Sequence, residues 1–220
     1  SNETHCFHAQ MFLITIASNN AICLVKCVFK SIKTQSNGGA LLISLRNDIG
    51  TQNIIDNCLF YGCSSIEGGS IYINEMDRKA TTKIINSKFI ENSAKSTSGA
   101  IYINSEIKNN LQVENCTIKS NSAVKSGGFI HFIEMNYSFE NCIFSDNKLT
   151  SSYSDTKGGS IYGQQSHGLF TNCSFLNNYA DSYYNSDGGA VSFLDSKGWF
   201  FKCTFKSNRV KAQIYKSKGG

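Results

Sequence analysis

The side chains that could do chemistry in this sequence are few and scattered. Polysaccharide cleavage needs carboxylates that converge, with a Lys or Arg base or a metal beside them. No Asp-Asp pair occurs, and the arginines are Arg46, Arg78 and Arg209 alone. Asp155, Asp181 and Asp187 are the acids that neighbouring loops could bring together. His167-Gly168 falls in an expected turn, without an acidic pair beside it in the chain. Residues 181–188 read Asp-Ser-Tyr-Tyr-Asn-Ser-Asp-Gly, rich in oxygen as hard cations require, but the spacing matches no calcium loop. His5, Cys6 and His8 could chelate a metal near the start of the chain. The expectation is therefore a protein that is not an enzyme and takes no metal and no cofactor.

Cysteine is the other reactive candidate. Nine occur, and six share one repeated slot: Cys27, Cys58, Cys116, Cys142, Cys173 and Cys203. Disulfide frameworks and zinc sites do not recur once per repeat in this way. Parallel strands stack about 4.8 Å apart, slightly too far for in-register Cβ atoms to be bridged. The slot reads as a buried ladder of free thiols acting as small apolar side chains. Ser87 takes it in one repeat, so smallness counts for more than sulfur. Cys6, Cys23 and Cys63 lie off the ladder and are the ones left to pair in disulfides.

Tyrosine offers binding instead of catalysis. Tyr72, Tyr102 and Tyr162, with His131 among them, share an outward slot and could form an aromatic stripe. Cross-rung stacking that supports a sheet is the plainer reading. Tyr153, Tyr179, Tyr183 and Tyr184 enrich two late extensions and are the better contact candidates. A net charge of +5 is mildly basic, and its densest region runs from Lys197 to Lys218. That region could meet acidic glycans or a charged membrane surface. No nucleic-acid motif accompanies it. Four sequons occur, at Asn2, Asn115, Asn136 and Asn172. Asn115 and Asn172 fall within the ladder, and Asn136, at an expected short turn, is the best acceptor for glycosylation.

What positions these residues is a repeat. Gly-Gly stands at 38–39, 68–69, 127–128, 158–159, 188–189 and 219–220, with Ser98-Gly99 in the remaining place. The second residues are 30, 30, 29, 31, 30 and 31 apart. After each pair comes an alternating run such as Ser70-Ile71-Tyr72-Ile73, a strand with one buried face. A second strand carries a Cys-x-Phe slot, with an apolar residue three before each Cys. That residue has the wrong parity to share a face with Cys unless the intervening Asn bends the chain. Another Asn follows the Phe slot by three, at Asn92, Asn121, Asn147, Asn178 and Asn208, and marks a corner, where Asn suits left-handed backbone and can hydrogen-bond to the next rung. The segment 11–17 takes the strand position one repeat earlier.

The distance from second Gly to Cys is 19, 18 and 17 early, then 14, 14 and 14. Extensions therefore leave one corner in the N-terminal half (74–82, 104–111) and the opposite corner in the C-terminal half (148–157, 179–187). Self-similarity at this period, without proline, points to an all-β solenoid: a right-handed parallel β-helix of about seven coils of roughly 26–31 residues. It is read as one repeat domain over 1–220, a fragment that continues into further coils.

The motifs resemble the polymorphic outer-membrane protein repeat. Ser98-Gly99-Ala100-Ile101 and Gly188-Gly189-Ala190-Val191 match its Gly-Gly-Ala-Ile signature. Phe89, Phe144, Phe175 and Phe205, each with Asn three residues later, match its Phe-x-x-Asn signature. Ile118 in the Phe place, and Ile32 and Cys63 in the Asn place, depart from the pattern. The resemblance implies a pectin-lyase-like β-helix of surface adhesins, at the cell surface or extracellular. Its partner would be a surface protein or glycan of a host or neighbouring cell. A carbohydrate-active enzyme (polysaccharide lyase or glycoside hydrolase) and a structural spacer are the alternatives. No stretch is long enough for a transmembrane helix.

Overall fold

The computed structural model describes residues 8–9, 14–17, 22–45, 52–75, 80–214 and 217–219. All its regular structure is parallel β. The strands after each Gly pair form the first ladder, from Ile14–Ala17 and Leu41–Leu45 through Ile101–Ser105 to Val191–Leu194. The second ladder runs from Cys23–Val25 to Lys197–Phe201 and the third from His8–Ala9 to Thr204–Lys206. A fourth runs from Ser64–Ser65 to Arg209–Ala212. The first two have seven strands each among the described residues. Seven strands have six steps between them, so the chain makes about six turns, one fewer than the sequence suggested. At about 4.8 Å per step the stack is roughly 29 Å long.

The bends that close each coil come from left-handed residues at fixed places. Asn57, Asn86, Asn115, Asn141 and Asn172 have φ between 50° and 53°, and each stands just before the slot of the thiol ladder. This bend turns the apolar residue three before Cys and the Cys itself to the same side, as their opposite parity requires. The corner asparagines bond to the next rung as expected, but they are not the left-handed residues. The residue before each one is left-handed (Glu91, Ser120, Asp146, Asn177 and Ser207), while the Asn points inward. Asn92, Asn121, Asn147 and Asn178 are fully buried. Each gives its Nδ2 to the next Oδ1 at 2.9, 3.0, 3.0 and 3.0 Å, ending on Asn208. The same Oδ1 accepts the neighbouring main-chain N–H, at 3.0 Å for Asn92. The ladder satisfies backbone groups that the corner leaves unpaired inside the rod.

The thiol slot is likewise more than small. Cys116 and Cys142 point Sγ at the carbonyls of Glu114 and Glu140, 3.1 and 3.2 Å away, and Ser87 Oγ donates to Ile85 at 2.8 Å. A weak donor at this place caps a carbonyl turned inward by the bend, which is why Ser substitutes for Cys. Cys23, Cys63 and the ladder cysteines are all free thiols, and Cys63 is buried. Cys6, Asn2, Arg46, Arg78 and part of the 74–82 extension lie outside the described residues.

Isoleucines and stacked phenylalanines fill the interior. Phe60 and Phe89 stack at 4.9 Å, and Phe144 lies 4.7 Å from Phe175, which lies 4.7 Å from Phe205. Each rung repeats its neighbour's side chain, so aromatic faces meet in offset stacks. The C-terminal extensions are built into the sheet. They lengthen the fourth ladder to Lys148–Ser151 and Tyr179–Ser182, and add a short fifth ladder, Thr156–Lys157, Ser186–Asp187 and Ser217–Lys218.

Candidate functional site

The tips of the C-terminal extensions stack on one another. Tyr183 N–H donates to the Ser151 carbonyl at 3.0 Å, and Ser182 Oγ donates to the Ser154 carbonyl at 2.8 Å. Asn185 gives both its N–H and its Nδ2 to Asp155 Oδ1, each at 3.1 Å. Ile214 N–H donates in turn to the Tyr183 carbonyl at 3.0 Å. Three consecutive coils thus bring Tyr153, the Tyr183–Tyr184 pair and Ile214 into one line. Tyr153 is 91% exposed, and Tyr183, Tyr184 and Ile214 are exposed too. The rings of Tyr183 and Tyr184 meet edge to face at 5.2 Å. Ile214 is a member that the tyrosine pattern alone did not reveal. The signal was its register, one coil after Tyr184.

Tyr179 stands apart from this ridge, half-buried on the fourth ladder. Its hydroxyl donates to Asp181 Oδ2 at 2.9 Å, and burial, then Asp181, holds its pKa above the usual value. It borders a depression of about 800 Å³ shared with Arg209 and Lys211.

The outward slot of the first ladder is not a platform. Tyr72 and Tyr102 stack face to face at 5.1 Å, their planes 18° apart. His131 packs edge-on against Tyr102 at 5.1 Å and lies 4.6 Å from Tyr162. His131 and Tyr162 are buried, and Tyr72 and Tyr102 are half-buried. Desolvation raises the Tyr102 phenol to about 12 and also raises Tyr72 and Tyr162. Along the middle of the stack the ring faces are occupied by one another. What the row can offer a ligand is edges and hydroxyls, with Glu67 near Tyr72 and Tyr102.

The three acids do not come together. Asp155 is held by Asn185, and Asp181 takes the Tyr179 hydroxyl. Asp187 sits on the fifth ladder between Lys157 and Lys218 in register. No group of three or more metal-ligating side chains forms among the described residues. His167 and Gly168 lie in the strand His167–Thr171, not in a turn. Gly168 and Gly198 leave the room that the Tyr137 ring fills. The Tyr137 hydroxyl donates to the Lys197 carbonyl at 3.0 Å.

The sequon asparagines also depart from expectation. Asn115 and Asn172 are exposed at the left-handed bends, so the ladder does not hide them. Asn136 is exposed as well, but it stands within the strand Met135–Glu140 and not in a turn. Asn172 Nδ2 donates to Asn141 Oδ1 at 2.7 Å.

Parallel ladders, inward Asn and Cys columns and a lateral aromatic ridge define a right-handed β-solenoid with its contact features on the sides of the rod. The chain matches the family described as right handed beta helix region over residues 49–220, and it belongs to that family. Comparison with curated proteins and with solved structures gives no match.

Proposed function

We propose that the protein is a noncatalytic interaction scaffold of the adhesin type, displayed at a cell surface or secreted. It contacts a surface protein or glycan of a host or neighbouring cell through the ridge of Tyr153, Tyr183, Tyr184 and Ile214. The observation that carries this reading is the ridge itself. Exposed tyrosines supply large contact area at small entropic cost, and aromatic residues are enriched among the side chains that dominate binding energy. Tyr153, 91% exposed, shares the line with Tyr183, Tyr184 and Ile214, so the exposed apolar surface is contiguous and not a single scattered side chain. The Gly-Gly-Ala-Ile and Phe-x-x-Asn motifs, resembling polymorphic outer-membrane repeats, support the surface setting. The separate engagement of Asp155, Asp181 and Asp187 supports a noncatalytic reading.

The test is binding of the purified protein to a glycan panel and to intact cells. Tyr153→Ala combined with Tyr183→Ala should weaken retention at least about tenfold, as expected when aromatic hot spots are truncated. The same panel should be followed for new reducing ends and unsaturated uronates. Product that disappears with Asp181→Ala would make this a carbohydrate-active enzyme and overturn the scaffold.

A further inference from the structure

We propose that the outer face of the strand Lys197–Phe201 is a docking surface for an anionic lipid bilayer. The strand alternates. Gly198 is half-buried beneath the Tyr137 hydroxyl, and Phe200 faces the core, stacked on Phe170 at 4.8 Å. Lys197, Trp199 and Phe201 therefore point away from the rod. Trp199 and Phe201 are each 57% exposed. Lys202 follows at a left-handed bend, with its Nζ 5.3 Å over the Phe201 ring. Two large aromatics are thus bracketed on one face by two lysines.

The exposure is lateral and does not come from the end of the stack. Leu169 is the register partner of Trp199 and has strands on both sides, yet it is 42% exposed. A further rung beside Trp199 would leave its outward face open in the same way. The patch is also local. Going back along the stack, the Trp199 place holds Leu169, Ser138, Gln112, Lys83, Ile54 and Cys23, and the Phe201 place holds Thr171, Glu140, Glu114, Ile85, Asp56 and Val25. Among the described residues no other coil sets two aromatics in these two places. Glu140 is two rungs from Phe201, and Asp195 stands at the bend that leads into the strand.

The chemistry favours a bilayer over a protein groove. Trp and Phe settle at headgroup depth, while lysines on long stems reach the lipid phosphates. Lys197 and Lys202 are exposed and make no ion pair among the described residues. An acidic protein could neutralise them, but a bilayer admits Trp199, Phe201 and Leu169 without needing a pocket shaped to fit. The strand is also held in place, since the Tyr137 hydroxyl ties the Lys197 carbonyl and Phe170 supports Phe200 from below. The face is presented ready-made, with no folding step on contact.

Trp199 is the only tryptophan in the chain, so its fluorescence reports this face alone. The experiment adds phosphatidylserine–phosphatidylcholine vesicles, with and without a brominated acyl chain, to the whole protein. Blue-shifted and bromine-quenched Trp199 emission is expected. Lys197→Gln and Lys202→Gln should each weaken binding about fivefold, and added salt should weaken it further. Phe201→Ser should weaken it about tenfold with an unchanged far-ultraviolet circular dichroism spectrum. Tyr153→Ala should leave vesicle binding as it was, so this result and that for the ridge are read separately. Unchanged Trp199 emission would overturn the proposal. So would equal binding to pure phosphatidylcholine, or quenching that survives the double lysine variant at full strength.

Discussion

His131 is the side chain whose ionisation the fold resists most plainly. It lies between Tyr102 and Tyr162, with Nδ1 3.0 Å from Ser126 Oγ and its Nε2 buried without a partner. Burial, and then the Lys157 charge, pushes its pKa down from 6.5 to about 3. The unfolded chain takes up this proton below pH 6.5, whereas the folded one refuses it until about pH 3. The neutral imidazole therefore contributes stability that is present above pH 6.5 and lost as pH falls toward 3, at up to about 1.4 kcal/mol per pH unit. The urea midpoint should drop across that window. His131→Tyr, which puts in the residue that neighbouring coils carry there, should flatten the drop. A midpoint equally steep in the variant would assign the acid sensitivity to the carboxylates instead. The sequence placed His131 in this row but could not show its burial, because depth depends on the rings stacked above and below. The corner asparagines teach the same lesson. Their spacing announced a corner, but which of two adjacent residues is left-handed and which turns inward is settled by hydrogen bonds to the next rung.

At the scale of elements, the turn between the fourth and first ladders sets how closely rungs approach. A Cβ on Gly128 would overlap the Gly159 carbonyl oxygen, and the same holds from Gly39 to Gly69 and from Gly99 to Gly128. Backbone there packs on backbone, so the second Gly of each pair is needed for space. The first is needed for conformation as well as space, with φ near 57° at Gly127 and a Cβ there overlapping the Ile130 carbonyl oxygen. Ser98 meets the second requirement without glycine, and its Oγ accepts the His131 N–H at 2.9 Å. Gly128→Ala should accordingly cost on the order of 4 kcal/mol, because neither rung can yield without breaking its ladder. Gly127→Ser, which copies the left-handed Ser98 of a neighbouring coil, should cost less, about 1–2 kcal/mol, because that coil accommodates a side chain there. Chemical denaturation of the two variants compares them directly, and equal losses would show that close approach is not what constrains the turn. The Gly period was the most legible feature of the chain because this steric demand recurs in every coil. The fate of the extensions was not legible. Length alone could not tell a free loop from the longer fourth ladder that Lys148–Ser151 and Tyr179–Ser182 make.

The whole molecule is a one-dimensional stack, and its stability should be distributed accordingly. Contacts run mainly between adjacent rungs, with the Tyr137–Lys197 bond reaching two rungs on, so cohesion is close to a sum of nearest-neighbour terms. In the middle, Phe89, Phe139 and Phe144 are sealed on both sides and the Asn column is fully buried. In the last coil Phe200 and Phe205 occupy the same inward slots but are exposed, and Cys203 is only half-buried where Cys142 is sealed. Among the buried thiols of the early coils, desolvation raises Cys58 to about 12 and Cys63 to about 11. Thiolate is the reactive form, so these sulfurs should resist modification while the rungs stay closed. Exchange of amide hydrogens should therefore be slowest across residues 84–144 and quicken stepwise toward 194–214, with Cys203 alkylated before Cys173 and Cys173 before Cys142. One uniform rate for all three thiols would mean that the rod opens as a single unit. The order matters for function. The ridge and the Trp199 face both lie within the coils of residues 151–214, which include the half-buried Cys203. A partner seated on either one would clamp those coils, and binding should then slow Cys203 alkylation without changing that of Cys142.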